Sequence, residues 1–265
     1  MKLGFVGGGV MAEALITGIR KAKLDAQIAV GEPVEARRRA LSGDGLVATA
    51  DNASAVRDTD IVVLAVKPQQ LDSVVSDLKG TLQPEQTVLS ILAGVKMHSI
   101  GLRLNHDRLI RVMPNTPAQI GHGMSVWTAT SDVPSPVREF TESTLAALGE
   151  QVYVDDEKYV DMATALSASG PAYVFKFIEA LIDAGVLLGM PADMARKLVL
   201  QTVTGSAILT RESGKHPAEL ANMVTSPGGT TAAGLRALEQ GRFRATVMDG
   251  VKAAYERGEE LGGGK

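Results

Sequence analysis

The chain has 265 residues, of which 45% are apolar and 22% charged; this is ordinary folded-protein usage and excludes a disordered or low-complexity chain. A net charge of −3 leaves no footprint for nucleic acid or an anionic membrane, and the one basic cluster, Arg37-Arg38-Arg39, reads as a solvated helix face. Having no cysteine, the chain can form no disulfide, thiolate nucleophile or cysteine-held metal site, which suits a reducing cytoplasm.

The opening stretch is apolar but broken by glycines and Glu13, so neither a signal peptide nor a membrane span is expected there or further on. Over the first 155 residues, short apolar runs alternate with amphipathic stretches. Buried strands are expected at 2–6, 27–30, 60–66, 87–92, 109–113 and 151–154, with a further strand around 124–127. Helices are expected at 10–23, 33–41 and 69–78. Such alternation implies right-handed crossovers, a largely parallel sheet and helices on both its faces.

The first strand runs straight into Gly7-Gly8-Gly9-Val10-Met11-Ala12, a G-x-G-x-x-A pattern that opens a helix. Gly7 permits the tight turn and Gly9 lets the backbone approach a pyrophosphate. The small Ala12 lets the helix pack close to the strand, with its first N–H groups facing the phosphates. Twenty residues after Ala12, Glu32 closes the second strand. A carboxylate there accepts from the ribose hydroxyls of NAD and repels the extra phosphate of NADP, a repulsion that Arg37 to Arg39 can soften. The alternative for Glu32 is an exposed turn residue before Pro33.

After about residue 157 the strands stop. Pro171, Pro191 and Pro217 each stand where a helix can begin, since the missing N–H costs nothing at the first helical position. Helices are expected at 171–188, 191–212, 217–224, 231–239 and 242–261, followed by a frayed tail, 262–265. The first carries Ala172, Phe175, Ile178, Leu181 and Ile182 among few charges, so it must be buried by docking on the sheet domain, by a dimer interface, or by both. The expected fold is therefore α/β: a Rossmann-type dinucleotide-binding domain over 1–157, followed by an all-helical domain over 158–265 for substrate binding and dimerisation.

No P-loop, H-E-x-x-H or G-x-S-x-G pattern occurs, and His98, His106, His122 and His216 lack ligand spacing, so they read as surface or capping residues and no metal site is expected. Hydride transfer requires none of these groups; it needs two carbons positioned and a polarised acceptor.

Four further segments are Ala65-Val66-Lys67-Pro68-Gln69, Arg111-Val112-Met113-Pro114-Asn115-Thr116-Pro117, Ser167-Ala168-Ser169-Gly170-Pro171-Ala172-Tyr173 and Thr225-Ser226-Pro227-Gly228-Gly229-Thr230-Thr231. Together with the glycine turn, in this order, they resemble the pyrroline-5-carboxylate reductase family over nearly the whole chain. The resemblance implies reduction of L-1-pyrroline-5-carboxylate to L-proline with NADPH or NADH, by an enzyme whose helical domain pairs with a second subunit. It further implies that Gly7 to Ala12, Asn52, Val66, Lys67, Pro68, Ala93 and Asn115 line the dinucleotide, while Ser226, Gly228, Gly229, Thr230 and Thr231 hold the substrate. Glu32 departs from the small or basic residue of NADPH-preferring members, and Thr230 stands where a smaller residue is also familiar. Only Thr231 is assigned a catalytic polar role.

The residues themselves support that last segment, because Pro227 to Thr231 precede a helical run whose free N–H groups and dipole suit a carboxylate. A threonine hydroxyl there either bonds the imine nitrogen or simply caps the helix. Lys67 can equally be a strand-end lysine reaching for solvent, and Ser167 and Ser169 can cap a helix before Pro171. Two rivals stand beside this reading. A beta-hydroxyacid dehydrogenase resembles a different glycine pattern before a helix lysine, which Gly170 and Lys176 do not match. A dinucleotide sensor without turnover would not need Gly228 to Thr231.

Overall fold

The computed structural model describes residues 1–42 and 46–262. The chain from Gly263 on, most of the tail expected to fray, lies outside them. Two compact units emerge: Met1–Ser169 together with the chain from Ala254 on, and Gly170–Ala253.

The first unit is built on an eight-stranded sheet. In chain order its elements are β1 (Lys2–Val6), α1 (Val10–Lys21), β2 (Gln27–Gly31), α2 (Glu35–Leu41), β3 (Val47–Thr49), α3 (Asn52–Val56), β4 (Ile61–Leu64), α4 (Leu71–Leu78), β5 (Thr87–Ser90), α5 (Met97–Leu104), β6 (Leu109–Met113), β7 (Gly123–Ala129), α6 (Ser135–Ala146), β8 (Gly149–Tyr153) and α7 (Lys158–Ala163). The strand order is β3-β2-β1-β4-β5-β6-β7-β8, parallel throughout except where β7 meets β6 antiparallel. This is the doubly wound arrangement expected, extended by two strands at one edge.

The core lies on both faces of the sheet, as parallel strands require. All four residues of β4, Ile-Val-Val-Leu, are buried. On one face Leu3, Phe5, Ile61, Val63 and Leu89 pack against Leu15, Ile16 and Ile19 of α1. On the other, Val6, Val62, Leu64 and Val88 pack with Val56, Leu71, Val74 and Ile100 from α3, α4 and α5. Each such aliphatic side chain contributes about 1.5–3 kcal/mol when fully buried. Gly4 makes the α3 approach possible, since a Cβ there would lie 2.5 Å from the Ala55 carbonyl oxygen.

Several expected bounds shift. The strand expected over 60–66 ends at Leu64, because Ala65 and Val66 leave the sheet for a loop and a 3-10 turn, Pro68–Gln70. The short β3, with α3, α5 and α6, goes beyond the sequence reading. The expected division after residue 157 falls inside the first unit, for a physical reason: Arg111 of β6 bonds Glu157 and Asp161, at 2.7 and 2.6 Å, and ties α7 to the sheet.

The second unit is helical: α8 (Gly170–Leu187), α9 (Ala192–Ser213), α10 (Pro217–Met223), α11 (Thr230–Gln240) and the start of α12 (Phe243–Leu261), whose end, from Ala254 on, belongs to the first unit. Pro217 opens α10 as expected, but Pro191 caps α9 from outside and α8 begins one residue before Pro171. Gly185 allows α8 and α9 to approach, since a Cβ there would lie 2.9 Å from the Ala195 Cβ. Within one chain α8 has no fully buried residue. Ala195 alone is buried among residues 170–253.

Candidate active site

β1 hands directly to the glycine turn. Gly7 adopts φ +94°, and a Cβ on it would lie 2.8 Å from the Ala65 carbonyl oxygen, so only glycine fits without strain. Its N–H donates to the Gly31 carbonyl at 2.8 Å, locking the turn against the end of β2. Gly9 is the N-cap of α1, makes no side-chain cap bond and has nothing within 4 Å of where a Cβ would be. That open space in front of the first N–H groups of α1 fits a pyrophosphate. Val10 is exposed, Met11 is half-buried, and Ala12 is buried against the sheet.

Glu32 is buried, not an exposed turn residue. Its carboxylate accepts from the N–H of Gly8 and from that of Val34, both at 2.9 Å. The arginine run is not a uniform solvated face either. Arg37 donates to the Gly8 carbonyl and to Glu13, Arg38 to the carbonyls of Glu32 and Pro33, and Arg39 to Glu35.

The other residues expected along the dinucleotide gather at the carboxyl ends of the parallel strands. Val66, Lys67 and Pro68 follow β4, Ala93 follows β5, Asn115 follows β6, and Asn52 opens α3 after β3. Lys67 is exposed, while Val66, Pro68 and Ala93 are half-buried. Asn52 donates to Asp77 at 2.8 Å and leaves a buried carbonyl oxygen without a partner, facing Gly31. In open parallel sheets this carboxyl edge, at the reversal between β1 and β4, is where ligands bind.

Asn115 is engaged on both sides of its amide. The oxygen accepts from the Met124 N–H at 2.9 Å, and the nitrogen donates to the carbonyl and hydroxyl oxygens of Ser167, each at 3.3 Å. Ser167 lies in a π-helical turn, Thr164–Ala168, closed by the Ser169 N–H on the Thr164 carbonyl at 2.9 Å. Ser169 follows this turn and directly precedes α8, which starts at Gly170. Pro171 has no N–H to offer the carbonyl four residues back, and the Asn115 amide supplies a donor there.

In the helical unit, the loop after α10 turns on Gly228 at φ +69° and delivers Gly229 as the N-cap of α11. The Gly229 N–H donates to the Ser226 carbonyl at 3.0 Å, and a Cβ on Gly229 would lie 2.3 Å from the Ser226 hydroxyl oxygen. Neither Thr230 nor Thr231 caps the helix, which has no side-chain cap bond. The first N–H groups of α11, those of Thr230 and Thr231 among them, are left for a ligand by helix geometry, with the positive end of the dipole behind them. Thr231 is half-buried and Thr230 exposed.

Residues 157–261 match the family model described as pyrroline-5-carboxylate reductase dimerisation, and residues 2–94 match that described as NADP oxidoreductase coenzyme F420-dependent. A pyrroline-5-carboxylate reductase from Synechocystis is 44% identical, covering 99% of this chain and 98% of the relative; one from Pisum sativum is 40% identical, covering 98% and 95%. The chain belongs to the pyrroline-5-carboxylate reductase family. The crystal structure of the Plasmodium falciparum pyrroline carboxylate reductase with NADP bound superposes with a TM-score of 0.89 at 34% identity, over 99% of this chain and 98% of that one. The Streptococcus pyogenes enzyme gives 0.89 at 30% identity, over 98% of each chain.

For a pyrroline-5-carboxylate reductase the histidines are instructive. His98 and His122 are exposed, and His216 caps α10, accepting from the Ala218 N–H at 3.2 Å. His106 is not a surface residue: it is buried, with Nε2 2.7 Å from the Gln86 carbonyl oxygen. No group of three histidines or carboxylates that could hold a metal occurs among the described residues, and no described helix is long and apolar enough to cross a membrane. A cavity of about 530 Å³ lined by Lys2, Arg20, Gln27, Arg57 and Asp58 lies at the amino edge of the strands, away from the glycine turn. Arg111, fully buried inside the Arg111-to-Pro117 segment, is a polar residue to which the sequence alone assigns no role. Its signal was a lone arginine in an otherwise apolar strand.

Proposed function

We propose that this chain reduces L-1-pyrroline-5-carboxylate to L-proline with NADPH or NADH, the last step of proline biosynthesis. The observation that carries the reading is identity of 44% to a pyrroline-5-carboxylate reductase over 99% of the chain. Two features of the geometry support it. One is a glycine turn with open space at Gly9, the N-cap of α1; the other is an α11 that starts behind Gly228 and Gly229 with no side-chain cap bond.

The roles divide between the parts of the chain, 1–157 serving the dinucleotide and 158–265 the substrate and the subunit contact. Gly7 to Ala12 receive the pyrophosphate and Glu32 the adenosine ribose. Asn52, Val66, Lys67, Pro68, Ala93 and Asn115 line the remaining carboxyl edge. The reduced nicotinamide, when bound, supplies a hydride. The N–H groups of Thr230 and Thr231 hold the ring carboxylate on the helix dipole, and Ser226, Gly228 and Gly229 shape the wall beside it. The imine nitrogen is basic enough to arrive protonated, so the carbon of the C=N bond accepts hydride without a strong protein acid. The Thr231 hydroxyl orients that nitrogen as it turns from iminium to amine.

The helical part makes a homodimer. Its support is the apolar surface of one chain: Phe175, Leu187, Leu188, Met223, Val224 and Met248 are all exposed. The cysteine-free composition suits work in a reducing cytoplasm. The test is oxidation of NADH or NADPH on adding pyrroline-5-carboxylate. A folded preparation that oxidises neither would overturn the proposal.

A further inference from the structure

Within the glycine turn, Gly8 is gripped from two sides. The Gly8 N–H donates to the Glu32 carboxylate at 2.9 Å, and the Gly8 carbonyl accepts from Nε of Arg37. The outer edge of the same guanidinium meets Glu13, in the first turn of α1, with Nη2 to Oε2 at 2.6 Å. A carboxylate suited to ribose hydroxyls and a guanidinium suited to a phosphate are thus held on the two peptide units that flank Gly8, and the guanidinium is already paired with Glu13. Arg38 lies against backbone carbonyls of Glu32 and Pro33, and Arg39 against Glu35, so neither stands in for Arg37.

We propose that Glu13 is a specificity-determining residue: by holding Arg37 it keeps that guanidinium from an extra phosphate on the adenosine ribose, and so biases the chain toward NADH. The inference rests on the dinucleotide reading above. With Glu13 engaged, a 2′-phosphate meets the Glu32 carboxylate while the nearest movable cation is committed elsewhere. With the Glu13 charge removed, Arg37 can turn its fork from the turn to that phosphate, where a charge-assisted pair replaces the lost one. The side chains of Arg37 and Glu13 are 28% and 53% exposed, so the effect is that of a partly solvated ion pair and is modest. Glu13 acts through Arg37; it is a positioning residue and touches no reacting atom.

The test is calorimetric binding of NADP⁺ and NAD⁺ to the wild type, to Glu13→Gln, and to the double variant Glu13→Gln with Arg37→Gln. Glu13 is exposed, so the single variant should fold, and a thermal melt checks it. The expected result is a gain in NADP⁺ affinity relative to NAD⁺ of roughly three- to fivefold in Glu13→Gln. That gain should disappear in the double variant and shrink at high salt. Equal changes for both dinucleotides, or a gain that survives loss of Arg37, would overturn the assignment while leaving the dinucleotide site in place. A wild type that binds neither would overturn the assignment and the dinucleotide reading together.

Discussion

Thr231 stands second in α11 with the cap position taken by Gly229, so its hydroxyl is not spent on the helix end. A group that strengthens its bond as iminium becomes amine should count in turnover more than in binding. Thr231→Ala is therefore expected to lower kcat/KM by roughly ten- to a hundredfold, the loss of a bond worth about 1.5–3 kcal/mol to a charged partner. Dinucleotide affinity should hold, and a variant of His98 or His122 should stay near the wild type. Steady-state kinetics with calorimetry decides this, and a thousandfold loss in a histidine variant beside an active Thr231→Ala would contradict it. Glu32 makes a second prediction. Glu32→Ser should favour NADPH over NADH by up to about 1–3 kcal/mol in catalytic efficiency, as a ribose contact is lost and a repulsion relieved. Binding of both should weaken somewhat, since the Gly8 and Val34 N–H groups lose their acceptor. A wild type preferring NADPH a hundredfold would count against this role for Glu32. The place of Glu32 directly after β2 was legible because strand, turn and spacing all pointed to it. The burial of Arg111 and His106 was not, because their partners Glu157, Asp161 and Gln86 are remote in sequence.

The elements that hold these residues make their own predictions. Gly7 at φ +94° sits against the Ala65 carbonyl, so Gly7→Ala should cost about 1–3 kcal/mol of stability and weaken dinucleotide binding with it. Arg111 joins β6 to α7, and Glu157 also accepts from the Met97 N–H that opens α5, at 2.8 Å. Arg111→Met leaves two largely buried carboxylates without their cation and should destabilise by about 3–5 kcal/mol. Adding Glu157→Gln and Asp161→Asn should recover part of that loss; chemical denaturation at fixed protomer concentration measures both, and an unchanged midpoint in Arg111→Met would refute it. At this scale the elements with a clean period or a proline signal were legible, β1, β2, β6, α1, α8, α9, α10, α11 and α12 to within two residues at each end. β3 was hidden because three residues show no alternation. The π-helical turn at Thr164–Ala168 was hidden because it depends on Asn115, some fifty residues earlier in the chain.

Across the whole chain, the sheet unit supplies its own core, whereas residues 170–253 bury only Ala195 fully. An apolar surface of that extent requires a partner, and the helical domain is expected to find it in a second copy. Sedimentation at micromolar concentration should show at least twice 27.8 kDa, and a lone 27.8 kDa species would contradict the dimer. The apolar circumference of α8 was legible in the sequence, but what covers it was not, since periodicity reports which face is apolar and not what meets it. The most direct test of the central claim follows the transferred hydrogen. With NADH or NADPH deuterated at the transferable position, pyrroline-5-carboxylate should yield L-proline carrying one deuterium at the ring carbon that was double-bonded to nitrogen. Unlabelled proline, or dinucleotide oxidation without proline, would contradict it.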